Sequence, residues 1–238
     1  MKEKLYTIPV NDAFEKDCEC PLCIMYKDLE YDAINFTLGP SYMEEDIRQI
    51  TDKQGFCNTH IVKLFEKQNN LGMANILKTH LFNKIKEIEK LSKSPVEKNS
   101  LFKKNTLSPI SRYIQEHNNS CFICDQVNST FERYIATVLH LYKNDSNFKD
   151  KFINSKGFCL KHYEMLYNKG IEVLKGSTLY SFIQDLNKVT IDNLKRVDAD
   201  LDWFIDKFDY RYKDEPWKNS KDAIERTITK VNGIVISK

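Results

Sequence analysis

Six of the seven cysteines and two of the five histidines repeat one pattern along the chain. Cys20 and Cys23 form a CxxC pair, and 33 residues separate Cys23 from Cys57 of GFCNTH, which also carries His60. Cys121 and Cys124 form a second CxxC pair, and 34 residues separate Cys124 from Cys159 of GFCLKH, which also carries His162. The copies are offset by 101 residues at the CxxC pairs (20 to 121) and by 102 at the GFCxxH units (57 to 159). So long a period predicts two related modules and not a solenoid array.

The residue types in this pattern point to metal. A CxxC turn brings two thiolates close enough to share one cation, and two such donor pairs supply the four tetrahedral ligands that zinc prefers. Cys57 and His60, at i and i+3, are expected on one face of a starting helix, as are Cys159 and His162. Gly55 and Gly157 would let the chain turn tightly there, with Phe56 and Phe158 screening the site from water. The positive helix end would offset part of the thiolate charge. On this reading each copy holds its own ion: Cys20, Cys23, Cys57 and His60 in one, and Cys121, Cys124, Cys159 and His162 in the other. Two Zn²⁺ per chain are expected. An iron–sulfur cluster fits less well, because clusters often use three closely spaced cysteines. Four protein ligands leave no open coordination position, which marks a structural metal. Cys18, beside Cys20 in CECPLC, has no counterpart and reads as a spare thiol, a substitute ligand or a redox-active neighbour.

The expected compartment agrees. A chain of 238 residues buries roughly 70% of its unfolded surface and has no need of disulfides. The amino terminus lacks the apolar core of a signal peptide. No stretch approaches the roughly 20 apolar residues of a membrane span, the longest candidate being Tyr134 to Tyr142. The sequence therefore reads as a cytoplasmic protein without membrane contact, where clustered cysteines serve as ligands or catalytic thiols.

Helical signals dominate. With seven glycines and no Asn-Gly or Asp-Gly turn, the turn chemistry of a multi-stranded sheet is missing, so the expected fold is all-α. Leu71, Ala74, Leu77, Leu81, Ile85, Ile88 and Leu91 recur at three and four residues and mark a long amphipathic helix. A second is expected over about Ser177 to Phe208. Shorter helices are expected over Cys23–Leu38, Ser41–Thr51, Phe122–Lys143 and Ser220–Val231, with Gly39-Pro40 as a break. The organisation read from the repeat is a first module at 1–92, a solvated linker at 93–108, a second module at 109–208, and an aromatic, charged strap and helix at 209–238.

Other features argue against particular functions. Lys plus Arg total 36 and Asp plus Glu 34, a net charge of +2, which gives no electrostatic footprint for nucleic acid. No nucleophile elbow, phosphate loop, dinucleotide fingerprint or HExxH occurs. His80, His117 and His140 read as surface or satisfied side chains, and Asp198, Asp202, Asp206 and Asp209 as a solvated helix face. Trp203, Phe204, Phe208, Tyr210, Tyr212 and Trp217 could stack on bases or a partner, but the balanced charge around them favours a strap over the bundle or a protein docking segment.

Together GFCNTH, FERYI, GFCLKHY, WFIDKFDYRYKDEPWKNSKDA and the opening MKEKLYTIPV resemble an uncharacterised bacterial family, common in anaerobic Gram-positive bacteria and known only as a domain of unknown function. The resemblance covers nearly the whole chain and implies that the twin cysteine–histidine units and the aromatic tail are family features. It implies no reaction, substrate or partner. The expected role is a metal-binding interaction or regulatory module acting through a protein partner. The alternative is a redox protein using the cysteines for electron transfer or oxidant sensing.

Overall fold

The computed structural model describes residues 6–93 and 107–236, so most of the expected 93–108 linker lies outside the described residues. Among the described residues there are eleven α-helices and no strand. The all-α expectation holds. The chain divides into two compact units, one of residues 1–28 with 130–238, the other of 29–129. The module boundaries read from the repeat follow the sequence copies, whereas each compact unit draws on both copies.

The first unit contains α1 (Thr7–Glu15), the opening turns of α2 (Pro21–Leu38), most of α7 (Phe122–Asn144), α8 (Ser146–Ile153), α9 (Leu160–Val173), α10 (Gly176–Asp206) and α11 (Ala223–Asn232). Its core is aromatic. Phe152 lies 5.1 Å from Phe158, 5.7 Å from Phe182 and 5.3 Å from Tyr142, and Phe14 packs on Phe148 at 4.9 Å. Such offset and tilted pairs add to the hydrophobic gain of burying the rings. Phe158 therefore belongs to this core, and Phe56 is half-buried. After α10 the aromatic tail folds back on the helix end. Trp217 meets Phe204 at 5.7 Å, Trp203 donates to the Pro216 carbonyl, and Lys207 Nζ donates to the carbonyls of Tyr212, Lys213 and Glu215. That turn returns α11 to pack on α9 and α10.

The second unit contains the rest of α2, then α3 (Glu45–Gln54), α4 (Asn58–Glu66), α5 (Asn70–Ser92), α6 (Pro109–Asn118) and the first turns of α7. The 3-10 segment Pro40–Met43 confirms the break at Gly39-Pro40. In α5 the structure departs from the expected packing. The helix buries Met73 and Ile76 near its start, but farther along it turns polar side chains to α3: Thr79 and Asn83 donate to the Asp52 carboxylate, and Lys84 donates to the Lys53 carbonyl. Leu77, Leu81, Ile85 and Ile88 face outward instead.

The reason lies at the carboxyl end of α3, whose last four carbonyls lack intrahelical partners. Gly55 N–H serves Thr51, His80 Nδ1 serves Asp52, Lys84 serves Lys53 and Ser120 Oγ serves Gln54. A polar face on α5 meets this need. An apolar face would leave the half-buried Asp52 carbonyl and the exposed Lys53 carbonyl without these partners.

Candidate metal centres

All eight sequence-selected residues sit at helix starts. Cys57 is the N-cap of α4 and Cys159 that of α9, in extended conformation, which places His60 and His162 in the first turn. The CxxC pairs open α2 and α7. Backbone donors aim at the sulfurs: His162 N–H at Cys159 Sγ and Cys124 N–H at Cys121 Sγ, each at 3.5 Å. Helix starts favour negative charge, as a set of three thiolates requires.

The glycine before each GFCxxH cysteine is conformationally required. Gly55 and Gly157 have φ of +68° and +75°. A Cβ on Gly157 would lie 2.8 Å from the Val189 carbonyl oxygen, and one on Gly55 would lie 2.7 Å from the His80 ring.

The donors meet in two tetrads. In the first unit His162 Nδ1 lies 3.4 Å from Cys20 Sγ, 3.3 Å from Cys23 Sγ and 3.3 Å from Cys159 Sγ, with Cys23 and Cys159 sulfurs 3.6 Å apart. In the second unit His60 Nδ1 lies 3.3 Å from the sulfurs of Cys57, Cys121 and Cys124, with Cys57 and Cys124 sulfurs 3.9 Å apart. Within each tetrad every donor lies within 4.8 Å of the others. A tetrahedron with metal–sulfur bonds of about 2.3 Å and metal–nitrogen bonds of about 2.0–2.1 Å has S–S edges of about 3.8 Å and S–N edges of about 3.6 Å. The S–N and S–S distances given above lie within about 0.3 Å of these edges, and each tetrad could hold one ion.

The grouping corrects the sequence reading. Neither tetrad is formed within a sequence copy: Cys20 and Cys23 join Cys159 and His162, while Cys121 and Cys124 join Cys57 and His60. Spacing identifies a donor pair at a helix start but carries no information about which start it meets. Here the first CxxC and the second GFCxxH both fall in the unit of residues 1–28 and 130–238, and the other two pairs fall in the unit of 29–129.

The surroundings of the tetrads differ. In the second unit Glu30 Oε1 meets His60 Nε2 at 3.0 Å, and Lys63 Nζ meets Glu30 Oε2 at 2.5 Å. The His60 bond, against the cost of burial and with help from Lys63, holds the Glu30 carboxyl down to about 2. Bonds to Cys121 and Glu30 raise His60 to about 10 in the metal-free chain. Burial works against the Cys121 thiolate, but the bonds from His60 and from the Cys124 backbone outweigh it and bring its pKa to about 6. Burial pushes Cys124 up to about 12.

In the first unit His162 Nε2 is buried with no hydrogen-bond partner among the described residues, its ring 5.2 Å from that of Phe131. Burial pushes Cys20 up to about 12. The buried Lys230 of α11 donates to the carbonyls of Glu19 and Lys156, the residues just before Cys20 and three before Cys159, and pairs with the Glu19 carboxylate at 3.2 Å. Gly233 closes the same face, its carbonyl 3.6 Å from Cys23 Sγ. Glu30, Lys230 and Glu19 were not marked by any spacing in the sequence.

The other candidates join neither tetrad. Cys18 lines a cavity of about 340 Å³ with Cys20, Glu19 and Arg226, and burial raises its pKa. His80 stacks on His117 at 5.3 Å, and burial first, then Lys84, lowers both pKa values. Of the acidic stripe, Asp209 pairs with Arg211.

A family model matches residues 1–238, the whole chain. The chain belongs to DUF6062, a family of unknown function. No curated protein and no solved structure matches it. What marks this DUF6062 chain is the pair of Cys3His tetrads, the first buried throughout and the second half-buried at Cys57 and Cys124. Among the described residues no helix is long and apolar enough to cross a membrane.

Proposed function

We propose that the protein is a cytoplasmic helical scaffold held together by two structural zinc ions and acting as an interaction or regulatory module toward protein partners. The observation that carries the reading is the donor set of each tetrad: four protein donors, all within 4.8 Å of one another, would fill every position of a tetrahedral ion and leave none for water or substrate. The ion would offset two of the three thiolate charges and tie two helix starts together. Cys20, Cys23, Cys159 and His162 through Nδ1 would hold one, and Cys57, Cys121, Cys124 and His60 through Nδ1 the other.

A single ion suits these cages better than an iron–sulfur cluster, whose several irons would force the ligands farther apart. The near-zero net charge supports protein rather than nucleic-acid partners. The matching local architecture of the two GFCxxH turns supports an ancestral duplication. Metal analysis of protein purified without oxygen is the test. Two zinc atoms per chain in a colourless protein are expected, and a brown protein with stoichiometric iron and sulfide would overturn the assignment.

A further inference from the structure

The outward face of α5 carries Leu71, Leu77, Leu81, Phe82, Ile85 and Ile88, with Leu81 60% and Phe82 62% exposed. On a helix whose inner face is polar, this is the larger apolar surface. We propose that it is the interface of a homodimer, with α5 of a second copy lying across it.

Three observations select a second copy as occupant. Leu71, Ala74, Leu81, Ile85 and Ile88 follow one alternating three-and-four register over a 23-residue helix, interrupted once by Lys78, which is the seam spacing by which two like helices pack and one that accepts a single polar position. The six large side chains of this face are each 39–70% exposed, which leaves an apolar area on the order of 600 Å², at the upper limit of what monomers leave bare. Doubled across a two-fold axis it reaches about 1,200 Å², the lower bound of a stable interface. The flanking charges Lys86, Glu87, Glu89 and Lys90 are of both signs, so no single-sign partner is called for. A two-fold contact needs only that the patch complement itself. The polar face of α5 is already committed to α3, so the helix cannot roll over to hide the stripe without unpairing Asp52 and the α3 carbonyls.

Sedimentation velocity on the full, metal-loaded chain tests this. Wild type is expected to show a species of twice 28.0 kDa whose population grows with concentration. Leu81→Glu with Ile85→Glu is expected to weaken self-association by about tenfold or more, with zinc content and helical circular dichroism unchanged. Leu81→Ala, a smaller change on the same exposed face, gives the same direction if the double variant folds poorly. A wild type that stays monomeric over the full range, leaving the stripe to another occupant, overturns the proposal. So does a dimer that both variants leave intact.

Discussion

Glu30 reaches the back of the His60 ring while the front of that ring faces three sulfurs, so one carboxylate fixes both the tautomer and the direction of a ligand. His162 has no such support. Glu30→Ala is expected to lower metal affinity of the second-unit tetrad by about 10- to 100-fold and to leave the first-unit tetrad unchanged, read by chelator competition in a Cys159→Ser background and in a Cys57→Ser background. Equal loss at both would contradict the assignment. Gly157 supplies a second test. Gly157→Ala must accept a left-handed backbone, at about 1–2 kcal/mol, and a close approach to the Val189 carbonyl. Gly176 has φ +59° but open space around it, so Gly176→Ala should cost only the conformational part. Denaturant unfolding should therefore rank Gly157→Ala as clearly the more damaging of the two.

Among the elements, α11 acts as a clasp. Lys230 holds the chain just before Cys20 and the chain leading to Cys159, and at the corresponding place in the second unit Ser120 Oγ bonds the Gln54 carbonyl directly. Lys230→Met removes both carbonyl contacts and leaves Glu19 paired with Arg196 alone. A stability loss of about 1–3 kcal/mol for each carbonyl left unpaired and faster zinc release from the first unit are expected, with release from the second unit unaltered. The long helices were legible because periodicity and caps agree: α2, α5, α7 and α10 all run close to the expected spans. The short helix α8 was missed, although Asp145 caps Asn147 and Phe148, and Phe148 and Phe152 recur at four residues. The direction in which α5 faces was not legible, since its two faces are equally periodic and the choice rests on the carbonyls of α3. All eight residues of the two tetrads were legible from residue type and spacing. Their grouping was not, because it depends on which helix starts the tertiary path brings together.

At the scale of the whole molecule, the two units have unequal reserves. The fully buried phenylalanines Phe131, Phe148, Phe152, Phe158 and Phe182 all belong to the first unit, while the second relies on Leu64, Ile76 and Ile123. The free energy of metal binding is part of folding, so chelation should unfold the second unit before the first, seen as two steps in hydrogen exchange. Acid should act in the same direction. Burial holds the Cys20 and Cys124 thiols protonated up to about 12 without metal, so binding an ion displaces protons. Metal retention should then be complete at neutral pH and above and fall steeply as pH drops, read as zinc release during an acid titration.

The crossing of the two sequence copies is tested most directly by the zinc content of two double variants. If each tetrad joins the CxxC of one copy to the GFCxxH of the other, Cys23→Ser with Cys159→Ser damages one tetrad and leaves one zinc per chain, whereas Cys23→Ser with Cys57→Ser damages both and leaves none. The opposite result, one zinc in the second variant and none in the first, would mean that each copy holds its own ion and would contradict the structure.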